Sequence, residues 1–457
     1  MKKVLKKAVL VIFFIVIAMS VFNISYAMLG TANFSKLSSV KNNTIFTKDN
    51  KTKYSNMQTY KIENTDYNNS AYYQTIKVKK NTPYKISCMV KTDNVQVVRK
   101  NENNGVKISI LNSNEESTAI VGTNEWQEVS LMLNSKNEET LQIAFMIGGN
   151  SDEGSAKGTA WFANFKIEEG KLDSNNNWNV VCFVFKNIDA NINQKQYKYQ
   201  MNKNDYSQIN DCMSRFKTTC EKFSNNEMSI SYKIIEIEDA ITELSYDKEN
   251  GYYIDAKNVA KYMQPYLNKE EFDHIFMCAR LSNEKSKDLL SDWIGLGSME
   301  YNGIGYSNVR MPTSSESYVL KYDENLNQFP EEVFVHEFLH SLEKNSQKYG
   351  MQCPELHNNK NYGYSEQDKI GLYTWYKDYM NCNIQNKNIG LNKQIYKYKP
   401  VHQSNFSNST KLTNFEEPEG TVERIKSIIN CNKCKVCKTR QNIVFGVGNK
   451  NADIMFI

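Results

Sequence analysis

Residues 335–343 read Val-His-Glu-Phe-Leu-His-Ser-Leu-Glu, and three of these side chains carry chemistry. His336 and His340 stand four residues apart, so on a helix both imidazoles leave the same face, one turn above the other. Two ring nitrogens placed this way can meet one Zn²⁺ at about 2.0–2.1 Å. Neutral imidazoles hold such an ion firmly and leave it Lewis-acidic, and zinc lowers the pKa of water to about 7. Glu337, next to the first ligand, can reach water without binding the metal. It is long enough to take a proton and to pass it to a leaving amine. An Asp would fall short, and a Gln could not accept the proton. The chemistry that these residue types and this spacing point to is hydrolysis of an amide bond.

A catalytic zinc needs a third protein ligand and one open position. Of the five His in the chain, three lie in one stretch, and His357, in Pro354-Glu355-Leu356-His357, is the first candidate. Glu366 and Asp368 are the alternatives. His-Glu-x-x-His is the arrangement of zinc peptidases. A metzincin-type continuation would place Gly at 343 and His at 346, where this chain has Glu343 and Ser346. Residues 336–380, with Tyr362-Gly363-Tyr364 and Trp375-Tyr376-Lys377-Asp378-Tyr379-Met380, resemble a zinc metallopeptidase family found beside carbohydrate-binding and cellulosome-docking modules in clostridial secreted proteins. The resemblance implies a zincin-like fold and a peptide or glycoprotein substrate. It also implies an edge strand that takes up substrate by β-augmentation, a role that 303–311 could fill. In such folds a tyrosine near the metal stabilises the oxyanion. Tyr362 and Tyr364 are the candidates, Tyr364 the first of them, with simple packing as the other reading of each.

These groups need elements to position them. Pro330 fits the first turn of a helix, and Glu331 and Glu332 sit near its positive end. Val335, Phe338, Leu339 and Leu342 then form a core-facing stripe. Upstream, 180–185 is a near-continuous apolar run, the mark of a strand buried on both faces. Ile209, Cys212, Met213, Phe216, Cys220 and Phe223 recur at helical spacing. Ile230, Tyr232 and Ile234 alternate as a strand, 259–266 reads as a short helix, and 275–279 as another buried strand. The mixture makes 173–400 an α+β metallopeptidase-like domain.

Residues 28–172 read differently. Short alternating segments at 72–78, 84–90, 106–111, 127–133, 141–147 and 161–167 are separated by polar clusters, which argues for a β-sandwich. The phrases Thr82-Pro83-Tyr84-Lys85-Ile86-Ser87, Gly122-Thr123-Asn124-Glu125-Trp126 and Gly158-Thr159-Ala160-Trp161-Phe162 resemble the jelly-roll carbohydrate-binding modules of secreted bacterial proteins. The resemblance implies a two-sheet jelly roll and a glycan ligand, with Tyr72 and Trp126, or Tyr73 and Trp161, as rings for sugars to stack on. The other reading places Trp126 and Trp161 in the core.

At the N-terminus, Lys2, Lys3, Lys6 and Lys7 precede an apolar run over 8–22 and then Ser25-Tyr26-Ala27. This is a secretory signal pattern over 1–27, too short for a stable membrane span, and it predicts a secreted or cell-surface protein. The net charge of +5 is the balance of 56 basic and 51 acidic residues. It is not clustered, so no nucleic-acid partner is expected. Seven of the ten Cys lie between Cys88 and Cys382 without framework spacing and read as mostly reduced, buried small residues.

The C-terminus carries a second resemblance. After a polar linker at 401–420, residues 421–457 contain Cys431, Cys434 and Cys437 followed by Ile-Val-Phe-Gly-Val-Gly, and resemble the opening of a family 4 uracil-DNA glycosylase. There Cys431 and Cys434 match two of the four ligands of a [4Fe–4S] cluster, which two or three Cys do not hold unaided. The sequence stops before the glycine-rich loop that would follow. The segment therefore reads as a truncated, inactive fragment joined to an unrelated chain. Three functions stand: a secreted zinc endopeptidase, a non-catalytic glycan-binding or scaffold protein with a degenerate zincin domain, and a glycosylase relative.

Overall fold

The computed structural model describes residues 27–28, 34–99, 103–149, 154–173, 175–282, 291, 293–313, 316, 320, 329–365 and 371–406. The signal segment up to residue 26, the glycosylase-like fragment with Cys431 and Cys434, and the alternative ligands Glu366 and Asp368 lie outside the described residues.

The N-terminal part is a sandwich of two antiparallel sheets. One runs Thr44–Tyr54, Met57–Asn68, Ala156–Glu169, Pro83–Val97 and Gly122–Asn134 in spatial order, with Ala27–Met28 paired onto Ala156–Glu169. The other runs Ser35–Ser38, Ser70–Lys77, Thr140–Gly148 and Gly105–Ile110. From residue 70 onward every connection crosses from one sheet to the other, which is jelly-roll winding. Alternate residues of both sheets meet in one core: Ile62, Ile86, Leu131 and Phe162 from the first, Tyr72, Ile108, Phe145 and Ile147 from the second.

Tyr72 is therefore not a sugar platform. Its ring lies inside, 5.1 Å from Phe46 and 5.3 Å from Tyr60, and its hydroxyl reaches the Thr47 and Lys61 carbonyls. The strand period of two sends its neighbour Tyr73 to the outer face. Trp126 stands outside the core, half-exposed and 5.3 Å from the Tyr54 ring. Trp161 also lies outside it and donates to Asp49 at 2.8 Å, so neither tryptophan is the core residue of the alternative reading.

The second part is built on a five-stranded sheet. Its strands are β1 (Asn177–Phe185), β2 (Ser229–Ile237), β3 (His274–Ala279), β4 (Gly295–Tyr301) and β5 (Ile304–Arg310), in the order β2-β1-β3-β5-β4. The first four in that order are parallel, and β4 is antiparallel at the edge. Helix α1 (Lys203–Phe223) links β1 to β2, and α2 (Ala256–Leu267) links β2 to β3, because parallel neighbours need crossovers. The wiring is a more regular alternation of strand and helix than the α+β mixture expected. The apolar run of β1 serves both faces: Val180, Cys182 and Val184 join the core with α1, and Val181, Phe183 and Phe185 join the core with α2.

Two expectations are corrected here. Residues 303–311 are not an edge: β5 lies between β3 and β4, and among the described residues β2 and β4 are the outer strands. Residues 401–406, expected to open a free linker, pack down instead. Lys171 N–H donates to the Asn405 carbonyl at 2.8 Å, Ser404 N–H donates to Glu271 at 2.9 Å, and His402 Nε2 lies 2.9 Å from Asp273.

Helix α3 (Glu332–Lys348) lies on β4 and β5, and α4 (Gly371–Met380) packs beside the same core. The predicted stripe of Val335, Phe338, Leu339 and Leu342 is fully buried. Phe338 meets Trp178, Phe216 and His274 edge-on, at 5.3, 5.4 and 5.1 Å.

His274 opens β3 beneath α3, is fully buried, and neither ring nitrogen has a hydrogen-bond partner among the described residues. Burial pushes its pKa down to about 3. The unfolded chain binds a proton there near pH 6.5 and the folded chain does not, so folding stability falls as pH drops below about 6.5, by about 1.4 kcal/mol per unit. Between pH 7 and pH 5, wild type should lose about 2 kcal/mol more than His274→Phe in urea unfolding. Equal losses would show that His274 is not held neutral.

Candidate metal centre

Helix α3 sets the first two candidate ligands. Its apolar stripe fixes the rotation of the helix on the sheet, which leaves His336 and His340 on the side facing α4 and the segment Leu356–Tyr362. That segment is a short 3₁₀ turn and carries His357. The Nε2 atoms of His336 and His340 lie 3.1 Å apart, as do those of His340 and His357. One ligand atom from each of the three residues lies within 4.8 Å of the others. The expected ligands are thus brought together, including the one that comes from outside the helix.

The outer nitrogens show what the inner ones can do. His336 Nδ1 lies 2.7 Å from the Tyr376 hydroxyl, which lies 2.7 Å from Glu332 Oε1. His340 Nδ1 lies 3.2 Å from Glu343 Oε2. A carboxylate only accepts. Tyr376 therefore donates to Glu332 and accepts from His336, while His340 donates to Glu343. Both outer nitrogens carry the proton, so both inner nitrogens present lone pairs. Lone pairs about 3 Å apart repel unless a cation lies between them. Donors around a tetrahedral ion at 2.0–2.1 Å would stand about 3.3 Å apart. The donor set fits a divalent transition ion of the kind that imidazole binds. Burial, then the two neighbouring imidazoles, push the His336 pKa down to about 3, which keeps the ligand neutral.

Glu337 leaves α3 toward the edge strand and is buried. A Cβ added at Gly295 would fall 2.2 Å from its Oε1, and one at Gly297 would fall 2.5 Å from its Oε2. Only glycine at these two positions lets β4 pass the carboxylate. Burial, reinforced by the Glu332 charge, pushes the Glu337 carboxyl well above the usual carboxylate range, while the Gly297 N–H pulls the other way.

Tyr364 does not take the expected role. Its hydroxyl donates to Asp378 at 2.7 Å and accepts the Gln385 N–H at 3.2 Å. Its ring packs 5.3 Å from Trp375, and the Tyr362 ring lies 5.8 Å from the same indole. The phenol that meets the imidazoles is Tyr376. Helical spacing from Trp375 and Tyr379 marks it as one more core aromatic, and nothing local in the sequence separates it from them. Glu343 carried a signal, as the residue that departs from the metzincin pattern.

No protein-family model matches the chain, and no curated protein matches it. Solved structures do match. One is the enzymatically active domain of bacteriophage CBA120 tailspike protein 4, at 13% identity over 30% of this chain with a TM-score of 0.24. The chain spans 19% of that structure. Another is TmCBM61 in complex with β-1,4-galactotriose, at 15% identity over 31% of this chain and 94% of the module, with a TM-score of 0.21. A third is the CBM22-1 xylan-binding domain of Paenibacillus barcinonensis Xyn10C, at 13% identity over 30% of this chain and 85% of the domain, with a TM-score of 0.19.

The Glu337 cradle makes a steric prediction. Gly295→Ala should force the carboxylate aside or lift β4 and destabilise the chain by about 1–3 kcal/mol in urea unfolding. A loss below about 0.5 kcal/mol, the level of an ordinary surface change, would mean that the strand does not close over Glu337.

Proposed function

We propose that this chain is an exported zinc endopeptidase joined to a glycan-binding jelly roll. The observation that carries the peptidase reading is the convergence of imidazole nitrogens from three residues, two of which, His336 and His340, have outer partners that leave their inner lone pairs free. Zinc held by His336, His340 and His357 would supply Lewis acidity and bring the ionisation of water near neutral pH. Glu337 takes the proton from the attacking water and delivers it to the leaving amine. Tyr376 and Glu343 keep the ligand tautomers fixed. An extended peptide would add to the outer edge of β4, which has no partner strand on that side among the described residues and runs beside α3, and would be held there by main-chain hydrogen bonds.

A second reading, glycan binding without catalysis, is favoured by a separate cleft. The outer face of the sheet containing Ser70–Lys77 carries an apolar patch of Ala71, Ala144 and Met146 with Tyr73 and Leu111. The cleft over it is about 670 Å³ and is also lined by Asn112, Asn114 and Gln142. An aromatic ring flanked by side-chain amides suits a sugar, which offers an apolar face and a rim of hydroxyls.

Purified chain should carry one zinc, and His336→Ala should lose it. Glu337→Gln should keep the metal and lose at least about 10²-fold in turnover of a peptide library. Metal-free wild type, or cleavage by Glu337→Gln at the wild-type rate, would overturn the peptidase reading and leave the glycan reading. For that second reading, Tyr73→Ala should weaken binding on a glycan array by about 10-fold, the effect of losing one stacked ring, whereas Tyr72→Phe should not.

A further inference from the structure

Glu343 touches two parts of the candidate centre at once. Its Oε2 lies 3.2 Å from His340 Nδ1, and its Oε1 accepts the Leu356 N–H at 2.9 Å. Leu356 is the residue before His357. The Leu356 carbonyl accepts from Trp375 Nε1 at 2.9 Å, and the Pro354 carbonyl accepts from the Tyr379 hydroxyl at 2.9 Å. Both backbone groups of Leu356 are thus held by side chains, one from α3 and one from α4. The 3₁₀ turn that carries His357 is fixed by hydrogen bonds that involve no metal.

We propose that Glu343 is the positioning residue that couples the second and third metal ligands, setting the tautomer of His340 with one oxygen and the position of His357 with the other. The proposal rests on the metal reading above and adds the reason that an imidazole seventeen residues beyond the helix pair arrives in register with it. It also accounts for Glu where a metzincin-type sequence would have Gly.

The chemistry makes the carboxylate hard to replace. A carboxylate accepts at both oxygens. A Gln of the same shape has one acceptor and one donor. If the amide oxygen faces His340 Nδ1–H, the NH₂ group meets the Leu356 N–H and two donors collide. If the oxygen faces Leu356, the NH₂ group points at His340 Nδ1, which must then accept. The imidazole proton moves to Nε2 and the lone pair on the metal side is lost. Either orientation releases one ligand while side-chain volume stays the same.

Two measurements on Glu343→Gln test this in the full chain. The first is zinc affinity by competition with a chromophoric chelator, where we expect a 10–100-fold loss, the usual effect of removing a group that orients a ligand. The second is backbone hydrogen exchange over 354–358 in metal-free protein, where we expect at least about 10-fold faster exchange at Leu356. Glu343→Ala should show both effects, and guards against Gln finding a compromise geometry. Wild-type zinc affinity in Glu343→Gln would overturn the coupling, as would unchanged exchange at Leu356 in both variants. If wild type itself binds no zinc, the metal reading falls, and the exchange measurement still decides whether Glu343 holds the turn.

Discussion

The candidate site depends on where two protons sit. Three imidazole nitrogens can share a cation only if each presents a lone pair inward, with the proton of the neutral ring on the opposite nitrogen, and for His336 and His340 that proton is held by a partner. In this chain His336 is committed through Tyr376 to Glu332, and His340 directly to Glu343. Remove those partners and the rings are free to point their N–H groups at one another, at which point the 3.1 Å contacts become ordinary hydrogen bonds and the inward lone pairs that a metal would need are lost.

The fold supplies these commitments by surrounding one helix. Helix α3 is pressed on the sheet by Phe338, whose neighbours Trp178 and Phe216 belong to β1 and α1. Its polar residues then have assigned directions: His336 and His340 toward α4 and the 3₁₀ turn, Glu337 toward β4. A glycine pair in β4 lets the strand close over the carboxylate, and the bulge that follows, with Ser298 in the left-handed region, returns the strand to pairing at Met299. The same contacts that bury the helix therefore hold the chemical groups, and a change in the core would be felt at the imidazoles.

How much of this was legible in the sequence follows from the range of each interaction. His336, Glu337 and His340 lie within one helical turn and a half, and the buried stripe of α3 has the same period, so both could be read locally. His357 could be named from its type and proximity, because few His compete with it. The oxyanion candidate Tyr364 was misplaced because tyrosines are dense in this stretch and only packing separates them. Tyr376 reaches His336 from a different helix, and no local spacing encodes that meeting. Residues 303–311 read as an extended edge, and nothing local in them tells an outer strand from an inner one, whereas β5 lies between β3 and β4. The outer strand β4 begins Gly-Leu-Gly-Ser, where the demand for space beside Glu337 overrides strand patterning. Tyr72 and Tyr73 differ by one residue and by which side of the sheet they face, a choice set by register.

The link between the two parts of the chain is the last step. Sandwich and α/β sheet belong to one compact unit that ends at Phe406. Lys399 reaches Asp173 and the Asn175 side chain in the crossing from the sandwich, and the carbonyl of Asn177, where β1 begins. His402 and Ser404 bind Asp273 and Glu271, which precede β3. Asn137 of the sandwich donates to the Tyr349 carbonyl at the end of α3. A flexible tether would let a sugar-binding module and a catalytic module search independently. A returning segment that bonds to both at many points does not. The outer-face cleft lined by Tyr73 and the three imidazoles thus belong to one compact unit, so under the proposed function a glycan held at the first would constrain what can be presented to the second.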